Sequence, residues 1–279
     1  AGMRTSDPFI YAVGDAVEET DFVTGESVLI PLAGPANRQG RIAADNMLGR
    51  SETYKKTQGT AICKLFDLAV ASTGLNEKRL VQLGLPFEKV YVHPGSHAGY
   101  YPGAHPVSLK LLFAPDGKIY GAQAIGKGEV AKRIDVIATA MHFNATVQDL
   151  PQLELCYAPP FSTAKDVVNM AGYVACNLQG GAYRQVRAKD VRTLVASNTY
   201  ILDVREKGEL ASGVIHGSHN IPMSELRGRL HELPKDRPLY VHCRTGQRSY
   251  NVVLTLQQLG FHEVYNIAGG FLALSGDEY

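Results

Sequence analysis

Residues 241–249, V-H-C-R-T-G-Q-R-S, constrain the fold of this chain more than any other stretch. A short apolar run precedes them and an amphipathic run follows, which predicts a buried strand that turns at Cys243 into a helix. That turn holds the sulfur of Cys243 over the first unpaired N–H groups of the helix, where the helix dipole favours an anion. We therefore expect Cys243 to be a thiolate.

The neighbours of Cys243 favour a reactive thiolate over an inert cysteine of the core. Arg244 and Arg248 add positive charge, and Gly246 lets the backbone turn tightly. Arginines at this density beside a purely structural cysteine would have no packing role. Together with Gly246, the residues expected to bind a substrate are Thr245, Gln247 and Ser249.

The length of this loop separates two kinds of thiolate chemistry. Cysteine-dependent phosphatases have a longer loop between Cys and Arg than the four residues between Cys243 and Arg248. A tighter ring of N–H groups suits a single sulfur atom, so the loop favours a persulfide carried on Cys243. A phosphatase or arsenate reductase that uses the same thiolate is one alternative, and a non-catalytic regulatory module is another.

The loop resembles the active-site loop of the rhodanese family, and three further motifs agree. They are Y-I-L-D-V-R-E at 200–206, G-V-I-H-G-S-H-N-I-P at 213–222 and Y-N-I-A-G-G at 265–270. The resemblance covers residues 183–279. It implies an α/β domain with a mainly parallel sheet and Cys243 at the carboxyl edge of that sheet.

The rhodanese resemblance also implies roles for the loop residues. Cys243 is then the nucleophile and the persulfide carrier of a sulfurtransferase. Arg244 and Arg248 orient and neutralise an anionic sulfur donor, and the N–H groups of the loop hold the sulfur.

Residues 5–41 carry a second resemblance, to the flavin fingerprint of the pyridine nucleotide-disulfide oxidoreductases. The segment T-S-D-P-F-I-Y-A-V-G-D-A implies that Asp15, preceded by Gly14, binds the ribityl chain of FAD. The segment P-L-A-G-P-A-N-R-Q-G-R then begins a helix whose amino end points at the flavin. Its first residues, Pro31 and Ala33, are the other expected contacts with the cofactor.

The same region leads us to expect a longer protein. The apolar run at 8–13 predicts a strand buried in a parallel sheet, yet no neighbouring strand precedes it. No G-x-G-x-x-G follows a strand, so the loops that bind the phosphates of FAD and NAD(P)H are missing from this sequence. We therefore expect NAD(P)H to be a co-substrate of the longer protein, and we do not expect this chain alone to bind FAD tightly.

The middle of the chain predicts an α+β unit. Strands are expected at 61–72, 89–93, 107–113 and 119–125, with a hairpin turn at 114–118 and helices at 129–143 and 164–176. This layout resembles the dimerisation domain of the same oxidoreductases and implies a homodimer.

Two segments of the middle region point to one branch of that family. The segments G-Y-Y-P-G-A at 99–104 and E-L-C-Y-A-P-P-F-S-T-A-K-D at 154–166 resemble the coenzyme A-disulfide reductases. Asn144 stands where glutathione-type reductases carry their acid/base histidine. The resemblance implies that Tyr157 and either Tyr100 or Tyr101 approach the partner's flavin and stabilise a departing thiolate.

Composition excludes several other classes of function. The formal net charge of +1 without a long basic run argues against a nucleic-acid partner. No apolar run of membrane length occurs, so no membrane partner and a cytoplasmic location are expected. Four cysteines without a C-x-x-C pair argue against a disulfide scaffold and against a metal site.

The sequence thus predicts four segments. They are the end of an FAD-binding domain at 1–50, an α+β dimerisation domain at 51–177, a linker at 178–187 and an α/β rhodanese domain at 188–279. The predicted function is sulfur transfer through a persulfide on Cys243, coupled in the longer protein to reduction of coenzyme A disulfide or persulfide. Small-molecule sulfur donors and coenzyme A thiols are the expected partners.

Overall fold

The computed structural model describes residues 2–277, with side chains up to residue 275. Its first part is a small two-stranded antiparallel sheet followed by a long helix. The elements of this part are β1 (Glu19–Thr20), β2 (Ser27–Val28) and α1 (Ala33–Met47).

The strand predicted at residues 8–13 is wrong. Within this run only Tyr11 forms a bridge, to Arg4, and Phe9 and Ile10 are 91% and 54% exposed. A strand that is apolar on both faces is stable only between other strands, and no strand of the described residues lies beside this run.

The middle of the chain forms a five-stranded antiparallel sheet, covered by two helices. The order of the strands across the sheet is β3-β4-β7-β6-β5. Ile134 and Ile137 of one helix and Val168 and Ala171 of the other are fully buried in the core that the helices share with the sheet. The elements are β3 (Ala61–Leu65), β4 (Leu68–Gly74), α2 (Glu77–Gln82), β5 (Glu88–Val92), β6 (Val107–Phe113), β7 (Ile119–Gly126), α3 (Val130–His142) and α4 (Val167–Gln179).

Two predicted elements of this unit differ from the structure. The single strand expected at 61–72 is a hairpin, because the chain reverses at Phe66, which has a left-handed φ of +55°. The helix expected from residue 164 begins at Val167. Asp166 caps it by accepting a hydrogen bond from the N–H of Val168, and Asn169 completes a capping box.

The last part of the chain forms a second five-stranded sheet, in which every pair of strands is parallel. Its order is β10-β9-β11-β12-β8, with β11 at the centre. The expected mixed fold, an α+β unit followed by an α/β unit with a parallel sheet, is confirmed. The elements are β8 (Arg184–Val186), α5 (Val191–Ala196), β9 (Tyr200–Asp203), β10 (His219–Asn220), β11 (Leu239–His242), α6 (Gln247–Gln258), β12 (Val264–Ile267) and α7 (Gly270–Asp277).

The segment predicted as a linker, 178–187, is largely structured. Helix α4 continues to Gln179, and β8 is an edge strand that pairs with β12. Contacts also cross between the two units: Asn177 donates to the Tyr250 hydroxyl at 3.1 Å, and Gln185 donates to the Lys89 carbonyl at 2.8 Å. The two units are therefore docked against each other, while the domain boundaries themselves stay a prediction. Among residues 2–277, no helix combines the length and the apolar character needed to cross a bilayer.

Candidate active site

Cys243 lies where the central strand of the parallel sheet ends and α6 begins. Its side chain is fully buried. The N–H of Gly246 donates to Cys243 Sγ at 3.1 Å, and the Ser249 hydroxyl lies 3.5 Å from the same atom. Gly246 has φ of +93° as the residue that precedes α6, a conformation that a residue with a Cβ rarely adopts. The predicted strand, turn and helix around the thiol are confirmed.

The start of α7 forms backbone hydrogen bonds with this loop. Phe271 N–H donates to the Cys243 carbonyl at 2.8 Å, and Leu272 N–H donates to the Arg244 carbonyl at 2.9 Å. A Cβ on Gly270 would lie 2.5 Å from the Cys243 oxygen and 2.6 Å from the Gly246 nitrogen. The second Gly of the 265–270 motif is therefore required by this close approach of two backbones, whereas a Cβ on Gly269 would meet side-chain atoms of Ala273 and Tyr91.

Arg248 contacts a carboxylate that the sequence analysis missed. Its Nη1 and Nη2 atoms donate to the two oxygens of Glu209, each at 2.7 Å. The hydrogen bond between Arg248 and Glu209 lowers the pKa of the Glu209 carboxyl. The same hydrogen bond raises the pKa of Arg248, and the charges of Glu209, Cys243 and Glu206 raise it further. Arg244, in contrast, is exposed.

A buried polar cluster lies beneath the loop. Asp203 accepts hydrogen bonds from Arg205 Nε and Nη2 at 3.0 and 2.7 Å, and both side chains are buried. The guanidinium of Arg205 also stacks on the Phe271 ring, 4.2 Å from its centroid. Burial lowers the pKa of His242 to about 4, so this residue is neutral at pH 7 although Asp203 Oδ2 lies 3.6 Å from its Nε2. Asp203 and His242 are paired across β9 and β11, so this cluster lies at the end of β11, next to Cys243.

The outer side of the loop borders a cavity of about 350 Å³ between the two units. Thr245, Gly246 and Gln247 contribute to its wall, as do Tyr91 of β5 and Asn266 of β12. Three of the residues expected to bind a substrate therefore line this cavity. Ser249, a fourth, is buried in the first turn of α6.

The tyrosines expected at the flavin lie in the antiparallel unit, apart from the Cys243 loop. Loss of hydration and a hydrogen bond with Tyr157 raise the pKa of Tyr100. Tyr101 instead contacts the ring of His97 edge-on, with centroids 5.9 Å apart. Tyr100 and Tyr157 are both at least half exposed, at 80% and 51%, and which of Tyr100 and Tyr101 acts with Tyr157 stays a prediction.

The residues expected to bind FAD meet at the start of α1. Gly14 donates its N–H to Gln39 Oε1 at 2.6 Å, which holds the turn that carries Asp15 against the helix. Asp15, Pro31 and Ala33 are exposed, and no side chain caps the amino end of α1. Free helix N–H groups and an exposed carboxylate fit the phosphate and hydroxyl groups of part of a flavin dinucleotide.

Comparison with known proteins identifies both units. The protein-family model of the pyridine nucleotide-disulphide oxidoreductase dimerisation domain matches residues 60–168. The protein-family model of the rhodanese-like domain matches residues 187–277. The chain joins an oxidoreductase dimerisation domain to a rhodanese-like domain. The resemblances inferred from the sequence motifs are confirmed.

Solved structures share the arrangement of both domains. The reduced Bacillus anthracis CoADR-RHD is 52% identical, and the match covers 99% of this chain and 49% of that one with a TM-score of 0.94. An NAD-dependent persulfide reductase from A. fulgidus is 39% identical, with coverage of 98% and 49% and a TM-score of 0.88. The docking of the rhodanese-like domain on the dimerisation domain is therefore found in related proteins.

A curated relative matches the first part of the chain. The coenzyme A disulfide reductase of Staphylococcus epidermidis is 40% identical over 175 residues, which is 62% of this chain and 40% of that protein. The chain spans about half the length of the two solved structures and less of this relative.

Proposed function

We propose that the rhodanese-like domain is a sulfurtransferase in which Cys243 carries the transferred sulfur as a persulfide. The observation that carries this proposal is the N–H of Gly246, 3.1 Å from a buried Cys243 Sγ at the amino end of α6. A buried anionic sulfur is stable only where donors and a helix terminus replace water. A loop closed this tightly around one atom supports a bound sulfur over a bound phosphoryl group.

The proposed transfer has two steps. The Cys243 thiolate attacks the outer sulfur of the donor, a new S–S bond forms, and the donor's own S–S bond breaks with its electron pair leaving on the remaining fragment. An acceptor thiolate then attacks the outer sulfur of the persulfide and regenerates the Cys243 thiolate. Arg244 and Arg248 orient the anionic donor, and the loop N–H groups hold the transferred sulfur.

We propose further that the whole protein couples this transfer to reduction of coenzyme A disulfide or persulfide. The relatives named as coenzyme A disulfide reductase and persulfide reductase support this, as does the dimerisation domain, from which we infer a homodimer.

FAD, when bound, would pass electrons from NAD(P)H to the disulfide or persulfide. Tyr157 and either Tyr100 or Tyr101 would donate hydrogen bonds to the departing thiolate. The residues that would hold the flavin are Gly14, Asp15, Pro31 and Ala33. The cytoplasm stays the expected location.

Cyanide-dependent formation of thiocyanate tests the transfer step. With a sulfane-sulfur donor, the wild-type chain should form thiocyanate, and Cys243→Ser should not, because a hydroxyl stays protonated at neutral pH and is a poor nucleophile. Cys156→Ser is the matched control, since Cys156 is exposed and lies in the other domain. Thiocyanate formation that survives in Cys243→Ser would refute the proposal. Hydrolysis of an aryl phosphate without thiocyanate formation would favour the phosphatase alternative.

A further inference from the structure

The charge of Arg248 is already compensated before any donor binds. Both of its terminal nitrogens donate to Glu209 at 2.7 Å, in the bidentate geometry that makes arginine–carboxylate pairs strong. The two side chains are 32% and 26% exposed, so water and small anions have access to the pair. An anion that approaches Arg248 therefore meets the Glu209 carboxylate as well as the guanidinium.

The other cations near the loop do not replace Arg248. Arg205 is committed to Asp203 in the core, where both side chains are at most 1% exposed. Arg244 is exposed, and its backbone carbonyl, rather than its guanidinium, is fixed by α7. Glu206 adds a second carboxylate whose charge acts on Arg248. The donor-binding side of the loop therefore carries less positive charge than its two arginines indicate.

We infer that Glu209 determines which sulfur donors the site accepts, by favouring donors with one negative charge over donors with two. This inference rests on the proposed sulfurtransferase function and concerns the same site. A donor that approaches Arg248 also approaches the Glu209 carboxylate, and the repulsion grows in proportion to the charge of the donor. A thiosulfate dianion is therefore disfavoured relative to a monoanion of the same reactive group.

Two donors separate charge from chemistry. Thiosulfate gives its outer sulfur to the Cys243 thiolate and leaves as sulfite, whereas benzenethiosulfonate gives the same sulfur and leaves as benzenesulfinate. In both cases a sulfur–sulfur bond to a sulfonyl sulfur breaks, its electron pair leaves with the sulfonyl fragment, and Cys243 gains a persulfide. The donors differ by one unit of charge, and no external oxidant or reductant is consumed.

The substitution Glu209→Gln removes the charge and keeps the shape. We expect the KM for thiosulfate to fall about tenfold and that for benzenethiosulfonate about threefold, because the first donor carries twice the charge. The difference should shrink at high ionic strength, where exposed charges are screened. Glu209→Asp keeps the charge, so the ratio of the KM values for the two donors should stay at its wild-type value. A change in this ratio in Glu209→Asp would show an effect of altered packing.

Glu225→Gln is the matched control. Glu225 belongs to the same domain and pairs with Lys207 at 3.1 Å and Arg229 at 2.9 Å, so this variant removes the same charge from a different ion-pair network. It should leave the ratio of the two KM values unchanged. Steady-state thiocyanate formation by the full chain gives these constants, and circular dichroism checks that each variant is folded.

The outcomes separate this inference from the function on which it rests. If the wild-type chain forms thiocyanate but Glu209→Gln leaves the ratio of the two KM values unchanged, the inference about Glu209 is refuted. The proposed sulfurtransferase function is not affected by that result. The same shift in Glu225→Gln, or in Glu209→Asp, would also overturn the inference about Glu209. Absence of thiocyanate from the wild-type chain with both donors would overturn the proposed sulfurtransferase and this inference together.

Discussion

Substitution of Gly270 by Ala tests how closely the loop is held by the start of α7. Gly270 has φ of +60°, and an added Cβ would meet the Cys243 oxygen at 2.5 Å and the Gly246 nitrogen at 2.6 Å. These are backbone atoms, so no side chain can move aside. The left-handed φ costs an alanine about 1–2 kcal/mol, and overpacking of this kind costs about 1–3 kcal/mol more.

Gly217→Ala is the matched control for Gly270→Ala. Gly217 lies in the same domain with φ of +76°, and a Cβ there would meet no atom within 4 Å. We expect Gly217→Ala to cost about 1–2 kcal/mol and Gly270→Ala about 2–5 kcal/mol of the free energy of unfolding. Only Gly270→Ala should also reduce sulfur transfer, because only it displaces the Gly246 N–H from Cys243 Sγ.

Hydrogen exchange of the β11 and α6 amides gives this free energy for the rhodanese-like domain separately from the dimerisation domain. Thiocyanate formation measured on the same samples reports the state of the loop. Equal costs for the two variants, within about 0.5 kcal/mol, would refute the close approach of α7 to the loop. Full sulfur transfer in a folded Gly270→Ala chain would refute it as well.

The remaining predictions concern pH and the tyrosines. The pKa of His242 is about 4 in the folded state, whereas the unfolded histidine titrates at about 6.5. Between pH 6.5 and 4 the unfolded state therefore binds a proton that the folded state does not bind. The free energy of unfolding should decrease by about 1.4 kcal/mol for each unit by which the pH falls in this range. Urea unfolding at several pH values measures this slope. His242→Asn should reduce the slope, and His262→Asn, at an exposed histidine, should not. An unchanged slope in His242→Asn would contradict a buried, neutral imidazole at position 242. In the longer enzyme that we propose, Tyr157→Phe should slow persulfide reduction and leave thiocyanate formation unchanged, and equal loss of both activities would indicate a folding role instead.

The thiol loop could be predicted because its determinants are local. Apolar residues before Cys243, a glycine inside the turn and an amphipathic run after it specify strand, turn and helix within a short segment. The charge balance of the site is not local. Glu209 lies 39 residues before Arg248, and nothing in a surface carboxylate reveals which arginine it will contact. The only signal was that this carboxylate follows the 200–206 motif, whose strand β9 lies beside β11 in the sheet.

The errors in the fold have both local and non-local origins. The capping box at Asp166 was visible in the sequence as Asp followed three residues later by Asn, and it sets the start of α4 better than the apolar pattern does. Strand β8 could not be predicted from its three residues, because it is stabilised by pairing with β12, about 80 residues later in the chain. The run at 8–13 has the composition of a buried strand but no neighbour among the described residues, so composition alone gave the wrong structure.

Mapping the transferred sulfur to a residue tests the central claim most directly. The wild-type chain is incubated with benzenethiosulfonate, the remaining thiols are blocked, and the peptides that contain Cys63, Cys156, Cys176 and Cys243 are sequenced by tandem mass spectrometry. The persulfide account predicts one added sulfur atom on Cys243, removable by cyanide, and none on the other three, although Cys63 and Cys156 are more exposed. Sulfur distributed according to exposure, or absent from Cys243, would contradict it.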